Sequence, residues 1–220
     1  MVIAMSAIGE LLTTREAAVV SGVEVRDINR LIDEHILPEA LVSNEENRRV
    51  RAGACALVRF YFYSEKSLTA DERKGAIRYV YERANRNEWT IHRWRRTRPN
   101  WVYRHHGFLT LNFDSFIAET LEEHEKLEKA REIVVEDPGM LSGTPVVKGT
   151  RVPVYDIAAF SNKGLSIAEI KKSYPSVSEE NIELAILYVK ATPRRGRPKV
   201  AIKPDRGAAV SRRVFPRRSA

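Results

Sequence analysis

A single cysteine, Cys55, stands among 220 residues, so the chain has no second thiol for a disulfide. No His or Cys lies at ligand spacing around it, which excludes a zinc site built there, and its apolar neighbours point to buried packing. Long hydrophobic runs are also missing. The stretch Ala52 to Val58 is interrupted by charge well before the ~20 residues of a bilayer span, and Met1 to Leu12 has no basic stretch ahead of an apolar one. The expectation is a soluble, cytoplasmic protein with no membrane partner. Nor does the chain offer a nucleophile, a base and an orienting group that would together define an enzyme. Glu122, Glu123 and Glu125 stand with Lys126 and Lys129 and read as a solvated helix face. His105 and His106 are adjacent, so on a strand they point to opposite faces, and no third ligand is near. No catalytic residue, cofactor or metal is therefore expected. There is no internal repeat at a fixed period.

What the sequence does hold is charge, unevenly placed. The net charge is +8, yet Ala191 to Ala220 carries ten Lys or Arg against Asp205 alone, a net +9 that leaves −1 for residues 1–190. This tail, with Pro193, Pro198, Pro204 and Pro216 and few aromatics, has too little apolar surface to offset its ordering entropy, so it is expected to be disordered by itself and to seek an acidic partner.

The 43% hydrophobic content is enough for two compact modules. Residues from about Thr14 to Ala84 repeat apolar positions at helical spacing, as in Val25, Ile28, Leu31 and Ile32. Ser67 to Glu72 reads as a helix start, with the helix running from about Ala70 to Asn85. From Arg83 to His106 come seven Arg, three His and Trp89, Trp94 and Trp101 with one acid. Packing is favoured for these tryptophans over a stacking surface for single-stranded nucleic acid. Phe108 to Phe113 alternates as a strand, and Ser115 to Arg131 reads as an acidic amphipathic connecting helix. Beyond Glu132, short β-capable pieces at Ile133 to Val135, Pro145 to Val147 and Val152 to Val154 precede three helices, Val154 to Asn162, Ser166 to Tyr174 and Ser178 to Lys190.

Thr14 to Val23 followed by Val25 to Ile36 has the form of a helix-turn-helix, with alanines for close crossing and Gly22 for the turn. With Ile36-Leu37-Pro38, the basic Asn47-Arg48-Arg49-Val50 and the helix Ala52 to Tyr63, it resembles the winged helix-turn-helix of MerR-like and excisionase-like regulators. The resemblance implies DNA binding in which Arg26 and Arg30 reach base edges or backbone while Arg48 and Arg49 are wing residues on phosphates. Glu24, Asp27, Asp33 and Glu34 depart from that pattern, because they give the presumed recognition helix a negative balance.

Gly143-Thr144-Pro145-Val146-Val147-Lys148-Gly149-Thr150-Arg151-Val152-Pro153-Val154 is the most specific signature. It resembles a small domain family of unknown function, typified by G-x-P-V-[IV]-x-G-T-R-[VI]-P-V, that occurs in VapB-like antitoxins. Physically the motif is a turn, in which Pro153 suits a first helical turn and Lys148 and Arg151 either brace the loop or bind an anion. The resemblance implies a homeodomain-like trihelical fold.

In the tail, Arg194, Arg195 and Arg197, with Lys199, fit the VapB-type use, in which an arginine enters the carboxylate cluster of a PIN-domain ribonuclease toxin. Val210, Val214 and Phe215 add apolar anchors. Arg195-Gly196-Arg197-Pro198 also matches an AT-hook core, leaving a stand-alone transcription regulator as the alternative. The expected fold class is mainly α: a winged helix-turn-helix at 1–64, a helical and short-strand linker at 65–131, a trihelical module with short β pieces at 132–190 and a basic toxin-binding tail at 191–220. The expected function is that of an antitoxin that represses its own operon and neutralises a VapC-like ribonuclease, as a homodimer or a hetero-oligomer with the toxin on operator DNA.

Overall fold

A computed structural model of the chain describes residues 11–44, 47–105 and 107–194. The chain enters as β1 (Leu11–Thr13), whose last residue caps the next helix: the Thr13 hydroxyl accepts from the Glu16 amide at 3.3 Å, and the Thr13 amide donates to the Glu16 carboxylate at 2.8 Å. Helix α1 (Thr14–Ser21) stops at Gly22, which takes the left-handed conformation at φ 68° and donates back to Ala18 and Val19. Helix α2 (Val25–Asp33) follows and buries Ile28, Leu31 and Ile32. It ends at Asp33 rather than at Ile36, because His35 adopts φ 50° and the Ile36 amide turns back to the Leu31 carbonyl at 3.0 Å. Strands β2 (Val42–Ser43) and β3 (Arg49–Arg51) then form an antiparallel hairpin that pairs with β1 through β3.

Helix α3 (Cys55–Tyr63) is apolar apart from Arg59 and is buried from Cys55 to Tyr61. Cys55 is buried, and desolvation pushes its thiol up to about 12, as suits a packing residue. Arg59 is also buried, but it is paired: Nε donates to Glu119 at 2.7 Å and Nη1 to the Val20 carbonyl at 3.3 Å.

Helix α4 (Ala70–Arg83) starts within the anticipated segment, at Thr69, whose hydroxyl accepts from the Glu72 amide while the Glu72 carboxylate accepts from the Thr69 amide, and it ends two residues before the expected Asn85. The residues read as a linker do more than connect. Trp89, Ile91, Trp94, Trp101, Phe113 and Ile117 enter the same core as Leu12, Ile28, Leu57 and Phe60. All three tryptophans are packed rather than displayed. Strand β4 (Val102–His105), not anticipated, pairs with β5 (Leu109–Asn112), which was.

Helix α5 (Asp114–Glu132) spans both halves of the molecule: Ile117, Leu121 and Leu127 face the first core, and Ala130 belongs to a second. In that second core β6 (Val134–Val135) pairs with β7 (Val146–Val147), and α6 (Val154–Asn162), α7 (Ile167–Ser173) and α8 (Glu179–Ala191) pack together around Ile157, Ile170 and Ile182. Ser166 and Ser178 cap α7 and α8. The chain is thus mainly helical with short strands. Helix α8 lies against both α1 and α5, and its last residue, Ala191, reaches the first core. No helix among the described residues is long and apolar enough to cross a membrane.

Candidate nucleic-acid interface

Helix α2 turns Arg26, Asn29, Arg30 and Asp33 away from its buried face. Of the acids that give this helix its negative balance, Asp27, Asp33 and Glu34 each have a local partner. Asp27 accepts from the Glu24 amide at 3.1 Å, at the positive end of the helix dipole. Glu34 takes Arg30 at 2.9 Å, and Asp33 takes Arg48 at 2.7 Å. The last pair joins the β2–β3 hairpin to α2. Arg26 is left with Asp27 at 4.0 Å and is 86% exposed.

An open groove of about 660 Å³ runs beside this unit. It is lined by Thr13, Thr14 and Arg15 at the start of α1, by Asn29 of α2, and by Asn47, Arg48 and Arg49 of the hairpin. Ala191, Thr192, Pro193 and Arg194, where α8 runs out, line it too. Glu16 is the groove's acid, and both its oxygens are engaged: one with the Thr13 amide and hydroxyl, the other with Arg131 at 2.7 Å. Arg15, Arg49 and Arg194 have no carboxylate partner among the described residues, and Arg194 lies 5.5 Å over the Tyr155 ring.

Of the residues singled out by sequence, the groove gathers Arg48, Arg49 and Arg194, while Arg26 and Arg30 occupy the outer face of α2. Arg195, Arg197, Lys199 and Phe215 lie outside the described residues, as does His106. Sequence reasoning passed over Arg15 and Asn29. A signal for Asn29 was present, since it shares the exposed face of α2 with Arg26 and Arg30, and an amide there suits an adenine edge. Arg15 carried no such signal, because only the arrival of α8 makes its position part of a groove.

The glycine-rich motif is braced by Thr150, not by its cations. The Thr150 hydroxyl donates to the Val147 carbonyl at 2.8 Å and accepts from the Val152 amide at 3.1 Å, around Gly149 at φ 76°. Lys148 and Arg151 are exposed, and their side chains make no hydrogen bond or ion pair among the described residues. Pro153 is the residue capping α6 rather than a member of its first turn. Among the described residues no three His, Cys, Asp or Glu side chains are grouped to hold a metal.

Residues 134–189 match the family model described as a protein of unknown function, DUF433. The whole chain is 46% identical over 219 residues to a protein of Sinorhizobium fredii named "Uncharacterized protein y4eO", with 97% of each chain covered. This chain belongs to the y4eO family. No solved structure matches it. In this y4eO-family chain every residue lining the groove falls outside the segment that DUF433 matches, so the groove is framed by that domain's end but is not part of it.

Proposed function

We propose that this chain is the antitoxin of a type II toxin-antitoxin system: a winged helix-turn-helix of β1, α1, α2 and the β2–β3 hairpin binds operator DNA, and the basic tail neutralises a PIN-domain, VapC-like ribonuclease. The observation that carries the DNA half is the unopposed positive charge of Arg49 and Arg15 in a groove whose one carboxylate, that of Glu16, is engaged by Thr13 and Arg131. Phosphate contacts supply most of the affinity in such an interface, and the outer face of α2, with Arg26 and Asn29, supplies discrimination between bases. Arg48, held by Asp33, orients the wing.

The toxin half rests on charge segregation and on the resemblance of the Gly143 to Val154 motif to a family found in VapB-like antitoxins. A tail of net +9 on a body of −1 suits capture by an acidic metal-binding site, where Arg195 or Arg197 pairs bidentately with carboxylates. The test combines two readings on the full chain. The purified protein is expected to bind a duplex from upstream of its own reading frame more tightly than a scrambled one, and to suppress ribonuclease activity of the adjacent-gene product. The triple change of Arg194, Arg195 and Arg197 to Ala is expected to abolish suppression. DNA binding without suppression of any neighbouring nuclease would leave a stand-alone regulator whose Arg195-Gly196-Arg197-Pro198 acts in the minor groove.

A further inference from the structure

We infer that the groove between α1, the β2–β3 hairpin and the end of α8 seats the phosphodiester backbone of duplex DNA, with Arg15 and Arg194 as phosphate-contacting residues supplied from opposite ends of the chain. The inference rests on the DNA-binding reading above and extends it to the end of α8, which neither the helix-turn-helix form nor the DUF433 match includes.

Charge carries the argument first. Arg15, Arg48, Arg49 and Arg194 line one groove with a single carboxylate, that of Glu16. Glu16 is committed to capping α1 and to Arg131, and Arg48 is held by Asp33, so three arginines converge without a carboxylate partner among the described residues. Gathering like charges disfavours folding unless a polyanion receives them. Shape carries it next. The groove is open rather than enclosed, Thr13, Thr14, Asn47, Thr192 and the arginines bring hydroxyl, amide and guanidinium groups to it beside the apolar Ala191 and Pro193, and Asn29 places it next to the helix assigned to base contact. Arg194 lies 5.5 Å over the Tyr155 ring where it lines the groove.

Salt dependence tests this on the full-length protein, using a duplex from its own upstream region and a scrambled duplex of equal length. Each lost phosphate contact lowers the slope of log K against log salt concentration by about 0.9. Arg15→Gln and Arg194→Gln, both exposed and therefore neutral for folding, are expected to lower the slope by about that amount and to weaken both duplexes equally, on the order of tenfold. Arg151→Gln, exposed but outside the groove, is the control and is expected to leave the slope unchanged. Unchanged slopes in Arg15→Gln and Arg194→Gln, with wild-type binding intact, would overturn the groove while leaving the regulator standing. A wild-type protein that binds neither duplex would overturn both. Displacement of the duplex by an equal concentration of a mononucleotide would also overturn the inference, because the site would then be one for a small phosphate.

Discussion

The two hydrophobic cores are built by different means. The first gathers large aromatics from distant parts of the chain: Trp94 lies edge-on to Trp101 at 5.6 Å, Trp101 lies 4.8 Å from Trp89, and Phe60 packs on Phe113 at 4.6 Å. It also encloses Ser21, Arg59, Arg73, Thr120 and His124. The buried residues of the second are aliphatic apart from Tyr188, with Tyr155, Phe160 and Tyr174 at its margin, and its order comes from local backbone devices: the Thr150 loop, the serine caps of α7 and α8, and the β6–β7 pair. One core is specified by long-range side-chain packing and the other by turn chemistry. Because α5 contributes to both, and Arg131 on α5 bonds Glu16 on α1 at 2.7 Å, the two are expected to unfold together.

The strongest way to break that comparison is Trp94→Ala. Trp94 is 1% exposed, and its ring nitrogen donates to the Glu88 carbonyl at 2.8 Å. Truncation leaves a cavity and an unpaired carbonyl, for a loss of about 3–5 kcal/mol in urea denaturation. Both fluorescence from the remaining tryptophans and far-ultraviolet dichroism are expected to follow one shifted transition. Two separate transitions would mean that the cores are independent and that α5 is only a tether.

A smaller effect is expected from Thr150→Val, which keeps shape but removes both hydroxyl bonds of the motif loop, at a cost of about 1–2 kcal/mol. Faster hydrogen exchange is expected at the amides of Val147, Val152 and Val154, with little change around Trp94. Exchange that accelerates everywhere would show that the loop holds the whole molecule and not only its own module.

The same contrast explains what was legible in the sequence. The caps at Ser166, Ser178 and Thr69, the turn at Gly22 and the three closing helices are local and were all readable. Strand β4 was not, because its Val-Tyr-Arg-His alternation is short and embedded in a charge-rich stretch. The pairing of Arg59 with Glu119 joins segments far apart in sequence and left no local trace. The groove was half legible: Arg48 and Arg49 follow from the hairpin, but Arg15 and Arg194 meet only because α8 packs on α1. The acids of α2 show the same limit: composition counts the charges of Asp27, Asp33 and Glu34, and only the fold assigns their partners.

The smallest effect at neutral pH comes from His124, and it sharpens the comparison by isolating a buried polar group on α5, the helix that both cores share. His124 is 1% exposed, and its Nε2 has no hydrogen-bond partner among the described residues. Burial holds its pKa down at about 4, helped by His92, Arg131 and Arg95 and opposed by Glu128. The unfolded chain takes up this proton near the ordinary value of 6.5, so between those two values the unfolded state holds more protons than the folded one. Stability contributed by the neutral ring is therefore present above about pH 6.5 and is lost as pH falls toward 4. His124→Met keeps an apolar filling and cannot titrate. In denaturation curves at pH 7, 6 and 5 the wild type is expected to weaken progressively, whereas His124→Met flattens that decline and is no less stable at pH 7, since an orphaned polar atom has been removed. An equal decline in both proteins would move the acid sensitivity away from His124 to other titrating groups. Retention of the decline together with a loss at pH 7 would mean that Nε2 has a bonded partner in solution.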